Sequence, residues 1–121
     1  MAIVTLRNVK KDYQLGDVTV PAVRGIDLDI EAGDFISIAG PSGSGKTTIL
    51  NLIGCIDTPT EGAVAIDSAE TSTLDDRALT DLRHRHIGFI FQSFNLVPVL
   101  DVYENIEFPL LLGHERLSKE E

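Results

Sequence analysis

"GPSGSGKTT", Gly40 to Thr48, gathers three glycines, two serines, one lysine and two threonines into nine positions. It matches the pattern G-x-x-x-x-G-K-[ST] in full. Ahead of it, "DFISIAG" (34–40) is a short apolar run ending in glycine, which reads as a buried strand. Behind it, "KTTILNLIGCI" (46–56) places Ile49, Leu50, Ile53 and Ile56 at helical spacing. A strand that passes through a glycine-rich loop into a helix is the arrangement that wraps a chain of phosphates.

Each residue type has a physical task there. Gly40, Gly43 and Gly45 let the backbone take tight conformations that turn N–H groups inward, with Pro41, Ser42 and Ser44 completing the loop. The helix that opens near Gly45 adds unpaired amides and the positive end of its dipole. Lys46 brings a full charge toward the β and γ phosphates, and the Thr47 hydroxyl is a hard oxygen suited to Mg²⁺. Thr48 adds a hydroxyl or amide toward the α phosphate. The competing reading is a Gly/Ser turn with Ser44 as an ordinary helix cap.

Around this loop the chain alternates strands and helices. "AIVTLRNV" and "VTVPAV" flank a turn-like "KKDYQLGD" with its Gly16-Asp17 pair, and "IDLDI" alternates apolar and acidic residues before "EAGD" turns the chain. Residues 1–33 therefore read as an antiparallel β layer. "EGAVAID" is a short hairpin strand, and "TSTLDDRALTDLR" is a helix with Thr73 and Asp76 at capping-box spacing. "HIGFIFQ" returns to a buried strand, and "DVYENIEFPLLLG" is a helix with Asp101 as cap and Glu104 three residues later. Pro109 is expected to kink or end that helix within about a turn. Ser118 stands three residues before Glu121, a helix-opening spacing that implies either a chain cut short or a polar tail.

Bulk properties narrow the function classes. The 121 residues suit one domain, and 43% hydrophobic with 24% charged residues is ordinary globular usage. A net charge of −9 argues against a nucleic-acid surface, which needs clustered Lys and Arg. The one basic stretch, Arg83-His84-Arg85-His86, reads as a solvated helix end. Cys55 is the single cysteine, set among Leu52, Ile53 and Ile56, so it reads as a buried, inert thiol in a reducing compartment. No basic lead precedes a long apolar run and no run approaches the roughly 18 residues that span a bilayer. The expectation is a cytoplasmic, soluble domain.

Three further residues carry alternatives. Tyr13 is either a purine-stacking ring or a hairpin surface tyrosine. Gln92 ends the "IGFIF" strand where open α/β sheets bind ligands, and its amide either serves a metal or water or bonds backbone. Asp67 ends "AVAID" in the outline of a metal-carboxylate strand, or sits in a plain hairpin. His84, His86 and His114 complete no zinc set.

These elements in this order resemble the nucleotide-binding domain of ABC transporters, with nearly the whole chain similar to its N-terminal half. Tyr13 matches the aromatic residue that stacks on adenine, "GPSGSGKTT" the Walker A loop, and "IGFIFQ" the Q-loop ending at Gln92. "VPAVRGIDLDIEAGDF", "LNLIGCIDTPTEG" and "FQSFNLVPVLDVYENIEFPLLL" most resemble the lipoprotein-release and macrolide-export branch. The resemblance implies an α/β fold: a P-loop NTPase core with a partial parallel sheet, an N-terminal antiparallel β layer, and a helical subdomain cut short. It divides the chain into a β layer (1–33), a Walker A to Q-loop region (34–92) and the start of the helical subdomain (93–121).

It also implies ATP and Mg²⁺ as cofactors, with Thr47 and Gln92 toward the metal, and puts Asp67 away from it. The implied partners are a transmembrane permease subunit and a second nucleotide-binding domain, with the chain peripheral on the cytoplasmic face of the membrane. The family's signature loop, Walker B strand, catalytic glutamate and switch histidine lie farther along than this stretch. Hydrolysis by these 121 residues alone is therefore expected near background, and uncovered apolar faces are expected to favour self-association. Two other readings are a stand-alone, non-hydrolysing nucleotide-binding or interaction module and a small P-loop kinase using Asp67.

Overall fold

A computed structural model of the chain describes residues 1–112. It forms two compact units, residues 1–88 and 89 onward. The helix-opening spacing at Ser118 and Glu121, and His114, lie outside the described residues.

The first unit is built on two long strands, β1 (Ala2–Leu15) and β2 (Val18–Glu31), joined by the two-residue turn Gly16-Asp17. Stretches that look like separate short strands are continuous, because the turn-like "KKDYQL" pairs along its length, with Tyr13 opposite Val20. Helix α1 (Lys46–Ile53) follows, then β3 (Glu61–Ile66), a short β4 (Ala69–Glu70), a single 3₁₀ turn (Thr71–Thr73) and helix α2 (Asp76–His86). The sheet order is β2-β1-β3-β4, all antiparallel. Pro21 is tolerated because β2 lies at the sheet edge.

The core gathers Val4, Leu6, Val9 and Val23 with Val64 and Ile66 from the sheet, Ile49 and Leu52 from α1, Cys55, and Leu79 from α2. Helical spacing alone nominated Leu50 and Ile56, but both are about half exposed, and Leu52 fills the core instead. A one-residue slip in β1 decides which side chains face this core. Before the slip Val4 and Leu6 are buried in the core; after it Val9 is, with Lys11 and Tyr13 partly buried at the same alternation. The pairing of β1 with β2 shifts between Leu6 and Val9, and that with β3 between Arg7 and Lys10. Such a bulge exchanges the two faces of a strand. Asn8 sits at its centre with φ 46°, its amide donating to Asp27 Oδ1 at 2.7 Å.

The α/β class with an N-terminal antiparallel layer stands, but two expected strands do not form ladders. Segments 34–40 and 87–91 carry no strand pairing, and Phe35 and Ile90 are fully exposed. A parallel strand is held by neighbours on its flanks, and the described residues supply none to either segment. Helix α2 also starts differently from expectation: Asp75, not Thr73, caps it, accepting from the Ala78 amide at 2.8 Å. Thr73 donates instead to the Glu70 carbonyl. The basic run Arg83–His86 forms the last turn of α2, where cations suit the dipole.

In the second unit, α3 (Val102–Leu112) opens on a reciprocal capping box. Asp101 accepts from the Glu104 amide at 2.8 Å, and Glu104 accepts from the Asp101 amide at 2.9 Å. Pro109 lies inside this helix, which is described through Leu112. No described residue of α3 is buried within its unit.

Candidate functional site

The Gly40–Thr48 loop leads into α1, and Gly45 is the pivot. Its φ of +93° places it in the left-handed region, at the N-cap of α1. A Cβ there would lie 2.6 Å from the Ala22 carbonyl oxygen on β2, so only glycine lets the loop seat against the sheet. No side chain caps the helix, which removes Ser44 as an ordinary cap. The first intrahelical bond runs from the Ile49 amide to the Gly45 carbonyl at 3.0 Å. The amides of Lys46, Thr47 and Thr48 precede it and have no partner inside the helix. The first turn of α1 holds no acidic residue, so the positive end of its dipole is uncompensated by side chains.

Lys46 folds over the loop it follows. Its ammonium donates to the carbonyls of Gly40 at 2.6 Å and Pro41 at 2.7 Å, and to Ser44 Oγ at 3.3 Å. Gly40 and Pro41 thus act through their carbonyls. The Ser44 amide bonds the Pro41 carbonyl at 3.2 Å, closing the loop on itself.

A cleft of about 600 Å³ lies over these groups. Its floor is Ser42 to Thr48 and its wall is Tyr13 with Val20, Pro21 and Ala22. Donor amides and one cation on the floor, with hydroxyls at Thr47 and Thr48 and an aromatic ring at the side, fit a polyphosphate carrying an aromatic base. The donor set fits Mg²⁺ less completely: Thr47 offers one hydroxyl, and the ion would need phosphate and water oxygens besides. Among the described residues no cluster of three His, Cys, Asp or Glu could hold a metal by itself.

Tyr13 is tied in place by groups that sequence spacing does not suggest. Its hydroxyl donates to Asp57 Oδ2 at 3.1 Å, and the Lys11 ammonium stands 5.3 Å from its ring centroid. Lys11 pairs with Asp57 Oδ1 at 2.9 Å and donates to the Thr58 carbonyl at 2.8 Å. Burial works to raise the Asp57 carboxyl, but the Lys11 ammonium, the Thr58 amide and the Tyr13 hydroxyl outweigh it and hold it below its ordinary value. The hint in the sequence was parity: Val9, Lys11 and Tyr13 alternate, but on the face opposite to Val4 and Leu6 unless a bulge intervenes.

The other candidates lie elsewhere. Asp67 is at the β3–β4 turn with φ 47°, its carboxylate 3.7 Å from His86 Nδ1, and it does not line the cleft. Gln92 belongs to the second unit, beside Phe89 and Phe91, whose rings stack 5.3 Å apart. Cys55 is buried, and that burial pushes its thiol up, with the Arg83 charge opposing. Arg83 also donates to the Cys55 carbonyl at 2.8 Å, tying α2 to the end of α1. No helix among the described residues is long and apolar enough to cross a membrane.

Known proteins resemble the chain along most of its length. The ABC transporter ATP-binding protein MJ0796 of Methanocaldococcus jannaschii is 50% identical over 112 residues, covering 93% of this chain and 48% of that protein. The macrolide export ATP-binding/permease protein MacB of Bdellovibrio bacteriovorus is 40% identical over 116 residues, 96% of this chain and 18% of that one. A dimeric structure of MJ0796 in a post-hydrolysis state, bound to ADP and Pi, superposes with a TM-score of 0.89 at 50% identity. It is matched over 97% of this chain and 51% of its own. The chain spans about half the length of MJ0796. Residues 23–121 match the ABC transporter family, and with these likenesses the chain belongs to that family, as the N-terminal part of an ATP-binding domain.

Proposed function

We propose that these residues hold Mg-ATP for an ABC transport ATPase. The observation that carries this is the cleft that has Tyr13 as its wall and Ser42–Thr48 as its floor. Phosphates would lie across Gly43 to Thr48 with Lys46 exchanging the Gly40 and Pro41 carbonyls for phosphate oxygens. Thr47 would take one place on Mg²⁺, and the base would lie against Tyr13. Gln92 is assigned to the metal or the attacking water on its resemblance to the Q-loop alone. The bound ion would spread charge over the phosphates; the chain's own residues bind and orient them.

In the whole protein, such an ATP site would be closed by a second nucleotide-binding domain and coupled to a permease at the cytoplasmic face of a membrane, in export or lipoprotein release. The dimer of MJ0796 and the permease joined to the ATP-binding part in MacB support those partners. The position of Asp67 outside the cleft speaks against a kinase that uses it as metal ligand. Calorimetric titration of the 121-residue chain with Mg-ATP tests the reading. Saturable binding lost in Lys46→Ala, with hydrolysis near background, is expected; a folded chain with no saturable binding refutes it.

A further inference from the structure

We propose that Lys11 and Asp57 form a clamp that positions Tyr13, so that the preference of the cleft for a purine nucleotide over a bare polyphosphate depends on an ion pair that touches neither. The proposal rests on the reading of the cleft as a nucleotide site.

The geometry leaves Tyr13 little freedom. Asp57 accepts from the Tyr13 hydroxyl through Oδ2 and from Lys11 through Oδ1, so one carboxylate spans both partners. Lys11 in turn occupies one face of the ring, which leaves the other face for a base. An ammonium on one face also draws π density from the other, which suits an electron-rich purine. Lys11 is only 14% exposed and Asp57 30%, so solvent competes weakly for the pair.

Asp57 is itself anchored. Its amide and that of Ile56 both donate to the Asn51 carbonyl near the end of α1. The Thr60 amide donates to the Lys10 carbonyl, and Thr60 Oγ1 accepts from the Asp12 amide. The 56–60 loop is thereby stitched to α1 on one side and β1 on the other. The helix whose first turn faces the phosphates thus also fixes, through its far end, the group that holds the ring. Asp57 and Lys11 act as positioning residues, with Tyr13 alone meeting the base.

The test compares affinities for Mg-ATP and for inorganic tripolyphosphate with Mg²⁺, by calorimetry, in the 121-residue chain. Tyr13→Ala should collapse the preference for ATP by about tenfold. Asp57→Asn and Lys11→Met should each reduce that preference about threefold while leaving tripolyphosphate affinity in place. In the Tyr13→Ala background, Asp57→Asn should have no further effect. Tyr13→Phe, which keeps the ring and loses only the hydroxyl, gives an independent arm if Asp57→Asn fails to fold, and should match Asp57→Asn.

A spectroscopic readout runs in parallel. The chain has two tyrosines and no tryptophan, so Tyr103→Phe leaves Tyr13 as the sole emitter. A phenol donating to a carboxylate is quenched, so Asp57→Asn should brighten it. If Tyr13→Ala lowers the preference while Asp57→Asn, Lys11→Met and Tyr13→Phe leave it unchanged, the clamp is overturned and the stacking reading survives. Equal loss of ATP and tripolyphosphate in the clamp variants also overturns it. If Tyr13→Ala leaves the preference intact, or the wild-type chain binds neither probe, the underlying nucleotide reading falls, and the clamp with it.

Discussion

The Lys46 ammonium donates to the Gly40 carbonyl at 2.6 Å, so the cation proposed to meet phosphate is held by the loop that phosphate would enter. Gly40, Pro41 and Ser44 present neutral oxygens to it, so its donors are occupied while its charge faces no anion. Phosphate oxygens, being ionised, are the stronger acceptors. Replacing Lys46 with alanine removes a charge-assisted contact worth about 1.5–3 kcal/mol. Mg-ATP affinity is expected to fall about 10- to 100-fold. Lys46→Arg should restore little of it, because a planar fork on a longer stem does not deliver its donors where a compact ammonium would reach the phosphates. Calorimetric titration of both variants decides the matter; wild-type affinity in Lys46→Ala would remove Lys46 from the site.

The bulge in β1 makes a second expectation about stability. Gly62 has φ +86°, and a Cβ there would overlap the Asn8 carbonyl oxygen and lie 2.6 Å from that of Arg7. Gly16, in the β1–β2 turn, has φ +63° with nothing within 4 Å of its would-be Cβ. Gly16→Ala should therefore cost only the left-handed penalty, about 1 kcal/mol. Gly62→Ala must also displace backbone and should cost at least about 2 kcal/mol. Urea unfolding of the two variants side by side reads the difference, and equal costs would mean the bulge yields more easily than its packing implies.

That bulge also marks the limit of what the sequence discloses. The glycine-rich loop, the Gly16-Asp17 turn and the Asp101/Glu104 capping box are local patterns, set by residues within a few positions of one another. The reversal of β1 at Asn8 is not local: it depends on Asp27, 19 positions away, accepting the Asn8 amide. Nor could spacing foretell that Tyr13 meets Asp57, 44 positions on. The segments 34–40 and 87–91 illustrate the opposite failure. Their apolar composition reads as strand, yet a ladder needs a neighbour and composition cannot supply one.

Thr71 offers a test of polar burial. It is fully buried, and its Oγ1 has no hydrogen-bond partner among the described residues. An unsatisfied buried hydroxyl carries its desolvation cost without return. Thr71→Val keeps the shape and removes that cost, so stability should rise by about 1 kcal/mol. A shift of the urea midpoint upward at constant slope is the expected result.

Two titrations follow from shifted groups. Asp57 is held below its ordinary value in the folded chain, so its contribution is present above the unfolded carboxyl value and fades as pH falls through the lower folded one. Wild type should accordingly lose more stability than Asp57→Asn on acidification below about pH 4. Cys55 is shifted upward by burial, so its sign is opposite: the folded state favours the thiol, and the contribution fades as pH rises past the unfolded value. Cys55 should not react with a thiol reagent in the native chain at pH 8 and should react fully in urea.

Asn105 holds the turn ahead of α3 through both ends of its amide. Oδ1 accepts from the Val97 amide at 2.8 Å, while Nδ2 donates to the carbonyls of Leu100 at 3.0 Å and Asp101 at 2.8 Å. Asn105→Ala frees the Val97 amide and the Leu100 carbonyl to water, while the Asp101 carbonyl keeps its bond from the residue 105 backbone amide. Asn105→Asp keeps the acceptor for Val97 but sets a carboxylate against two carbonyl oxygens, a repulsive arrangement where there had been two donors. The aspartate variant should therefore be the more disruptive of the two, although it is the closer in shape. Hydrogen exchange at the Val97 amide separates the cases: faster in Asn105→Ala through loss of its acceptor, and accelerated at least as much in Asn105→Asp because the turn itself opens. Slower exchange in Asn105→Asp than in Asn105→Ala would show that the Val97 contact alone secures the turn, and that the two donor bonds to Leu100 and Asp101 contribute nothing to it.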